Sequence, residues 1–132
     1  MPTARKREDE IMEIRDLKLG VVGFGEFSAS FMDGFRAHPG ISRVTVAEYF
    51  EDRRKEALEK YKADAVYESF DEMLEKEELD GVVVLVNPDR TYWVADTCLK
   101  AGFHVLMEKP AGINAYQAHS LARTAAATGK IA

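Results

Sequence analysis

The sequence predicts an α/β protein built on a doubly wound parallel sheet. Short apolar runs alternate along the chain with longer amphipathic stretches, which is typical of strands joined by crossover helices. The first, fourth and fifth runs are almost uniformly apolar, so we expect these strands to be covered on both faces. The five predicted strands are 17–22, 44–47, 65–67, 81–86 and 104–107.

Helix signals lie between and after these strands. Ser69 followed by Glu72 predicts a capping box, in which the hydroxyl accepts from a free backbone N–H and the carboxylate reaches back. Asn114 followed by Gln117 predicts the same arrangement at the last helix. Because a helix follows each strand and crossovers of this kind are right-handed, the sequence predicts the strand order 3-2-1-4-5.

Composition and length set the domain organisation. The chain has 132 residues, of which 46% are hydrophobic and 31% charged, so we expect one ordered domain over residues 17–132. Residues 1–16 form a charged leader that we interpret as a frayed or helical segment, with a docking arm as the alternative. This leader has no apolar core long enough for a signal peptide or a membrane span. We therefore expect neither export nor membrane insertion.

Charge and cysteine content exclude further classes of protein. With 23 acidic and 18 basic residues the net charge is -5, which argues against sequence-independent binding of nucleic acid, because phosphate neutralisation needs a basic face. Cys98 is the single cysteine, so an intrachain disulfide and a zinc site of cysteine type are excluded. We expect no metal site, and the expected location is a reducing cytoplasm.

A glycine-rich turn directly follows the first predicted strand and opens a helix. Gly23 permits the tight turn, Gly25 lets a pyrophosphate approach the backbone, and the free N–H groups of the helix start attract the anion. Ser28 replaces the third glycine of the dinucleotide fingerprint, and we expect Glu26 to face solvent because its carboxylate would repel phosphate. A structural glycine-rich turn is the alternative. The turn consists of Gly23, Phe24, Gly25, Glu26, Phe27 and Ser28.

An acidic residue stands where a ribose-binding carboxylate is expected. Glu48 ends the second strand, and its oxygens can accept from both hydroxyls of an adenosine ribose. A 2′-phosphate about 4 Å away would cost on the order of 4 kcal/mol, so NAD is expected as the cofactor and NADP is less favoured. Arg53 and Arg54 could offset that repulsion by folding back, although a solvated helical turn is the alternative. Tyr49 is a further candidate contact.

Two more groups of polar residues follow the fourth and fifth strands. Asn87, with Pro88 beside it, can offer both donor and acceptor groups to a nicotinamide or a ribose at the point where the strand order reverses. A plain strand-to-helix turn is the alternative. Glu108 and Lys109 lie on the same rim, where the lysine can donate to a developing alkoxide or take part in proton transfer. A surface lysine is the alternative for Lys109.

Together these residues resemble the Gfo/Idh/MocA family, the relatives of glucose-fructose oxidoreductase and inositol dehydrogenase. The resemblance covers residues 17–132 and is most specific in segments 82–88, 99–102 and 104–110. It implies an N-terminal NAD(P)-binding Rossmann domain of an oxidoreductase that acts on a sugar or polyol hydroxyl. It also implies that Lys109 is the catalytic lysine beside the nicotinamide, and that the Lys109–Pro110 bond is cis.

The sequence departs from the family pattern at single positions and in length. Tyr92, which we count among the cofactor contacts, stands where histidine is frequent; Asn87 replaces threonine and Glu48 replaces aspartate. Family members continue into a sixth strand and a substrate domain, and we expect this chain to lack both. We therefore expect binding without turnover in the isolated chain, and self-association or a partner strand along an unpaired edge at 104–107.

Two other functions compete with this interpretation. One is a stand-alone, non-catalytic NAD-binding or scaffold protein. The other is a structural remnant whose pocket is occluded by Phe24, Phe27 or Tyr49.

Overall fold

The computed structural model describes residues 16–132, so the predicted leader lies outside the described residues except for Asp16. The strands are β1 Leu17–Val22, β2 Ile41–Ala47, β3 Ala65–Tyr67, β4 Gly81–Val84 and β5 His104–Met107. The helices are α1 Glu26–Ala37, α2 Glu51–Glu59, α3 Phe70–Lys76, α4 Pro88–Lys100 and α5 Ala115–Thr128. None of the helices between residues 16 and 132 is long and apolar enough to cross a membrane.

All five strands pair in parallel in the order β3-β2-β1-β4-β5, which confirms the predicted topology. At the centre of the sheet, the Lys18 N–H donates to the Asp80 carboxylate and the Asp80 N–H donates to the Lys18 carbonyl oxygen, each over 2.8 Å. Two predicted boundaries are wrong. β2 begins at Ile41 because it pairs there with the start of β1, and β4 ends at Val84 because β1 turns away after its last residue.

Helices cover the two faces of the sheet unequally. On one face, called here the α4 face, α3, α4 and α5 pack against the strands through Met73, Leu99 and Leu121. On the other, called the α1 face, α1 and α2 pack through Met32 and Ala57. The helices of the α1 face cover β1 to β3 and reach Val83 of β4, and within residues 16–132 no helix covers β5 there.

The edge strand β5 is therefore covered on one face only. Val105 points into the α4 face and is 5% exposed, whereas Leu106 points to the α1 face and is 65% exposed. The expectation that the fifth strand is covered on both faces is wrong, because its second face has no helix over it. Central strands β1 and β4 do bury both faces near their ends, as Val21, Val22 and Val83 show.

The outer edge of β5 is partly paired by the end of the chain. The Val105 N–H donates to the Ile131 carbonyl oxygen over 2.9 Å, and the Ile131 N–H donates to Nδ1 of His104 over 3.0 Å. The predicted unpaired edge is thus wrong at Val105, because residues after α5 return alongside the strand. Toward Met107, no further strand lies beside this edge within residues 16–132.

One of the two predicted capping boxes forms in a modified way, with its return hydrogen bond made to the residue before the cap. At α5, Asn114 Oδ1 accepts from the Gln117 N–H over 2.9 Å, and the Gln117 side chain accepts from the Ile113 N–H over 3.0 Å. At α3 the prediction is wrong: Ser69 precedes the helix but its hydroxyl makes no capping hydrogen bond. The Glu72 carboxylate instead pairs with the Lys76 ammonium, one helical turn on, which occupies it on the outer surface of the helix.

A partly buried ion pair ties β2 and β3 to the end of α3. The Arg43 guanidinium donates to both Glu77 carboxylate oxygens over 2.9 and 2.8 Å, and the Tyr67 hydroxyl donates to the same carboxylate over 2.6 Å. The Glu77 side chain is 8% exposed. Because the ionised carboxylate receives these donors, chiefly from Arg43, the pKa of Glu77 lies below its usual value.

We predict that Glu77→Gln lowers the free energy of unfolding by about 1 to 2 kcal/mol at neutral pH, an amount limited by the partial exposure of Arg43. Since the folded pKa of Glu77 is depressed, its contribution is complete above the unfolded value near 4.5 and is lost as the pH falls below it. Urea unfolding between pH 7 and pH 3 measures this, as a gap between the two proteins that closes in acid. Glu78→Gln, at a 94% exposed side chain, is the matched control and should change little.

Candidate functional site

A cleft of about 630 Å³ opens at the carboxyl ends of β1, β2 and β4. It lies where the strand order reverses between β1 and β4, which is the position at which open α/β sheets bind ligands. Half of the site residues predicted from the sequence meet there. These are Gly23, Phe24, Gly25, Glu48, Tyr49 and Asn87.

The glycine turn shapes one wall of the cleft. Gly23 has φ +91°, and a Cβ there would lie 2.5 Å from the Leu85 carbonyl oxygen, so the position requires glycine. A Cβ at Gly25 would meet nothing within 4 Å, which leaves open space directly before α1. Gly25 stands at the capping position of α1 but has no side chain with which to accept a hydrogen bond. The N–H groups of the first turn are therefore available to an anion.

The side chain of Phe24 does not occlude the cleft. It is 2% exposed and packs into the core of the α1 face, with its ring centroid 5.5 Å from that of Tyr61. Ser28 is likewise buried, at the point where α1 approaches the sheet, so a small residue fits there as the sequence predicts. Phe27 and Tyr49 are 57% and 69% exposed.

Glu48 connects the end of β2 to the glycine turn. Its Oε2 accepts from the Phe24 N–H over 2.6 Å, and its Oε1 accepts from the Phe50 N–H over 3.0 Å. The residue is 7% exposed, and the two donors stabilise its buried charge. An ionised carboxylate has about four acceptor positions, so ribose hydroxyls can still donate to the oxygens that face the cleft.

The two arginines after Glu48 differ in their contacts. Arg54 does fold back, but onto the backbone: its Nη1 donates to the carbonyl oxygens of Glu48 and Tyr49 over 2.8 and 2.5 Å. Arg53 lines the cleft, and its guanidinium lies 5.0 Å from the ring centroid of Phe50. Arg53 is therefore the cation of this pair that a ligand in the cleft can reach.

Sequence reasoning missed a further wall of the cleft, formed by the segment between β3 and α3. The predicted strand order could have indicated this wall, because it places the end of β3 next to the end of β2. Together with Glu48, the carboxylates of this wall outnumber the two guanidinium groups that line the cleft, those of Arg53 and Arg90. An anionic ligand therefore depends on these two groups and on backbone N–H groups. The missed residues include Glu68, Ser69, Phe70, Asp71, Glu72, Leu85, Val86 and Arg90.

Several predicted site residues do not line this cleft. Glu26 is exposed on the first turn of α1, as expected for a carboxylate that avoids the turn. Pro88 is the first residue of α4. Tyr92 is 8% exposed, and its hydroxyl lies 2.9 Å from Ser120 Oγ, so it joins α4 to α5 instead of pointing at the cleft. Phe27, Glu108 and Lys109 also lie outside the lining.

Lys109 lies just beyond β5 on the same rim of the sheet. The Glu108 N–H donates to the Val84 carbonyl oxygen over 3.0 Å, which holds this segment beside the end of β4. The Lys109–Pro110 bond is cis, as the family resemblance implies, and the lysine side chain is exposed. The rim thus carries an exposed amine beside the end of β4.

Comparison with known proteins decides the family. Residues 17–132 match the model of an oxidoreductase family described as having an NAD-binding Rossmann fold. The chain belongs to the Gfo/Idh/MocA family. Its parallel sheet of order 3-2-1-4-5 is the Rossmann fold of this family, and the expected cofactor, NAD, is the one for which the matched domain is named.

Relatives of this Gfo/Idh/MocA chain include a curated protein and solved structures. A myo-inositol 2-dehydrogenase from Thermotoga maritima is 26% identical over 74% of the chain and 29% of its own length. The KijD10 3-ketoreductase from Actinomadura kijaniata, crystallised with NADP and TDP-benzene, is 26% identical with a TM-score of 0.81. The WlbA dehydrogenase from Bordetella pertussis, crystallised with NADH and UDP-GlcNAcA, is 20% identical with a TM-score of 0.80.

The chain spans about a third of the length of these relatives. Each structural match covers 88% of the chain but only 36% of the KijD10 chain and 35% of the WlbA chain. The similarity therefore concerns the dinucleotide-binding domain.

Proposed function

We propose that this domain binds NAD in the cleft above β1, β2 and β4, and that it serves an oxidoreductase acting on a sugar or polyol hydroxyl. The observation that carries the proposal is the meeting of three elements in one cleft: the open position at Gly25, the uncapped start of α1, and the Glu48 carboxylate. A dinucleotide needs a site for its pyrophosphate and a site for its adenosine ribose, and these elements supply both.

Each part of the dinucleotide has a proposed place. The pyrophosphate lies against the backbone at Gly25, where a side chain would fill the space. The adenosine ribose lies on Glu48, and Arg53 flanks it. Asn87, across the cleft, faces the nicotinamide half with both donor and acceptor groups.

The preference for NAD over NADP follows from the burial of Glu48. Its charge lies within the cleft at the ribose position, so a 2′-phosphate meets a carboxylate. Arg53 reduces this repulsion, whereas the Nη1 of Arg54 is occupied by two backbone carbonyl oxygens. We therefore propose weaker binding of NADP, without its complete exclusion.

In the complete reaction the dinucleotide supplies the hydride acceptor or donor. Lys109 is the residue of this chain that we propose exchanges a proton with the substrate oxygen, because it lies exposed on the nicotinamide side of the rim. A sugar or polyol substrate is proposed because relatives are named as acting on myo-inositol or were crystallised with a nucleotide sugar. The proposed location is the cytoplasm, where NAD is available.

We propose that the isolated chain binds without turning over. Lys109 is the residue that we assign to proton transfer on the rim. His38 and His104 lie at the amino ends of β2 and β5, away from that rim, and Nδ1 of each accepts a backbone N–H, from Gly40 and from Ile131. This observation also favours the second candidate function, a stand-alone NAD-binding or scaffold protein. The two candidate functions differ in one expected result: a partner polypeptide confers dehydrogenase activity on an oxidoreductase domain but not on a stand-alone NAD-binding protein.

Calorimetric titration of the purified chain with NAD, and separately with NADP, tests the proposal. Saturable binding of NAD, with NADP weaker, is the expected result. No heat of binding for either dinucleotide, from a chain whose circular dichroism shows it folded, would leave a structural Rossmann scaffold. Tighter binding of NADP would overturn the proposed role of Glu48.

Glu26 provides a prediction about the phosphate end of the site. We expect Glu26→Gln to tighten NAD binding about threefold at low salt, because it removes a negative charge beside the first turn of α1. The gain should shrink as salt is added. Titrations at two ionic strengths measure it, and Asp33→Asn, an exposed acidic position later on the same helix, is the control. Equal gains in both variants would show a general charge effect.

A further inference from the structure

Arg90 is a cation of the cleft to which the proposed function gives no role. It lies in the first turn of α4 and lines the cleft beside Asn87, on the wall that follows β4. Its N–H donates to the Asn87 carbonyl oxygen over 2.9 Å, which fixes the backbone at the start of the helix. The residue is exposed, so its guanidinium remains open to a ligand in the cleft.

Several other arginines have partners within the protein. Arg36 and Arg43 each pair with a carboxylate, over 2.7 and 2.8 Å. Arg54 donates to two backbone carbonyl oxygens. Arg90, by contrast, makes no ion pair with any residue between 16 and 132. Its charge is therefore available to an anion from outside the chain.

The position of Arg90 is unfavourable for the helix that carries it. A helix has a partial positive charge at its N-terminus, so an acidic residue stabilises the first turn and a cation destabilises it. Asp89 agrees with this rule, whereas Arg90 in the same turn opposes it. The stability of α4 therefore does not account for Arg90, whereas a negatively charged ligand beside the turn does.

The wall that carries Arg90 touches the glycine turn. A Cβ at Gly23 would lie 2.5 Å from the Leu85 carbonyl oxygen and 3.1 Å from a methyl group of Val86. The turn after β1 and the segment after β4 are therefore in contact. Phosphates at Gly25 have the start of α1 on one side and the wall of Arg90 on the other, within a single cleft.

We propose that Arg90 binds the pyrophosphate of the dinucleotide, opposite the N–H groups of α1. The assignment rests on the proposed function and adds a side chain to it. Each phosphate of the ligand is negatively charged, whereas the start of one helix offers only about half of an elementary charge. The carboxylates that line the cleft increase this deficit. A guanidinium group can donate to phosphate oxygens in a bidentate manner, which suits arginine to the position.

Calorimetric titration of Arg90→Gln with NAD and with ADP-ribose tests the assignment. Both ligands contain the pyrophosphate, so both should bind about tenfold more weakly than to the wild type, because a charge-assisted hydrogen bond is lost. The loss should shrink as salt is added. Arg90→Lys should recover part of the affinity, since it keeps the charge without the bidentate geometry. Arg123→Gln, at an exposed position of α5 outside the cleft lining, is the matched control and should bind as the wild type does.

Urea unfolding without ligand separates binding from a structural role. Arg90→Gln should unfold at the wild-type urea concentration or slightly above it, because a cation has been removed from the start of a helix. A clear fall in that concentration would show that Arg90 supports the fold, and would overturn the assignment.

The titrations distinguish failure of the assignment from failure of the proposed function. Unchanged NAD affinity in Arg90→Gln, beside a wild type that binds NAD, would overturn the assignment alone. A loss for NAD without a loss for ADP-ribose would also overturn it, because the contact would then be with the nicotinamide half. So would an equal loss in Arg123→Gln, which would show a general charge effect. A folded wild-type chain that binds neither ligand would overturn both.

Discussion

Replacing Glu48 with alanine should weaken NAD binding more than about 100-fold. Two hydrogen bonds from ribose hydroxyls to a buried carboxylate contribute about 3 kcal/mol, and Glu48→Ala removes both. The same change leaves the N–H groups of Phe24 and Phe50 without their acceptor, so the glycine turn also loses a support. Calorimetric titration measures the affinity, and thermal unfolding without ligand measures the cost to the fold.

Loss of the ribose hydrogen bonds and loss of support for the glycine turn can be separated by comparison with a second carboxylate in the cleft. Glu68 lies on its far wall, and Glu68→Gln should bind NAD about as well as the wild type or slightly better. An NAD affinity that is unchanged in Glu48→Ala would show that Glu48 serves only to hold the glycine turn. The ribose would then lie elsewhere in the cleft.

The second large effect concerns the two glycines of the turn. Substitution should lower the stability of the fold at Gly23 and the affinity for NAD at Gly25. Gly23→Ala should destabilise the protein by about 3 kcal/mol, because the new Cβ would lie 2.5 Å from the Leu85 carbonyl oxygen at a φ of +91°. Gly25→Val should unfold at nearly the wild-type denaturant concentration, since a Cβ there meets nothing within 4 Å. Its binding of NAD should nonetheless fall by at least about tenfold, because the side chain enters the space proposed for pyrophosphate.

Urea unfolding and NAD titration of both variants give the comparison. Gly102→Ala is the control for a left-handed glycine away from the cleft: its φ is +94°, and a Cβ there meets nothing within 4 Å. It should cost about 1 kcal/mol and leave NAD binding unchanged. Full NAD affinity in Gly25→Val would contradict the proposed position of the pyrophosphate.

The topology could be predicted from sequence because the relevant signals are local. Apolar runs mark the strands, right-handed crossovers reduce the possible orders to a few, and the glycine turn after the first strand favours the dinucleotide-binding order among them. The edge of the sheet was harder to predict. An apolar run does not distinguish a strand covered on both faces from one like β5, whose Leu106 has no helix over it. The backbone pairing of Val105 with Ile131 depends on where the chain returns after α5, which no local pattern specifies.

The candidate site was predicted where a residue's role depends on backbone position, as at Gly23, Gly25 and Glu48. It was less complete where a role depends on the direction of a side chain. Tyr92 lies on a helix beside the rim, yet its ring turns inward to Ser120 because α5 packs there. Conversely, Arg90 belongs to no motif that sequence analysis recognises. The structure shows that the first turn of α4 places it at the cleft.

The hydrogen bonds between Lys18 and Asp80 have a consequence for the order in which the chain folds. They join residues that are 62 positions apart, so the central seam between β1 and β4 closes only after a long loop has been ordered. During synthesis, β1 to β3 emerge first and leave one side of β1 without its neighbour. We therefore expect refolding of the full domain to be slow, on the scale of milliseconds to seconds.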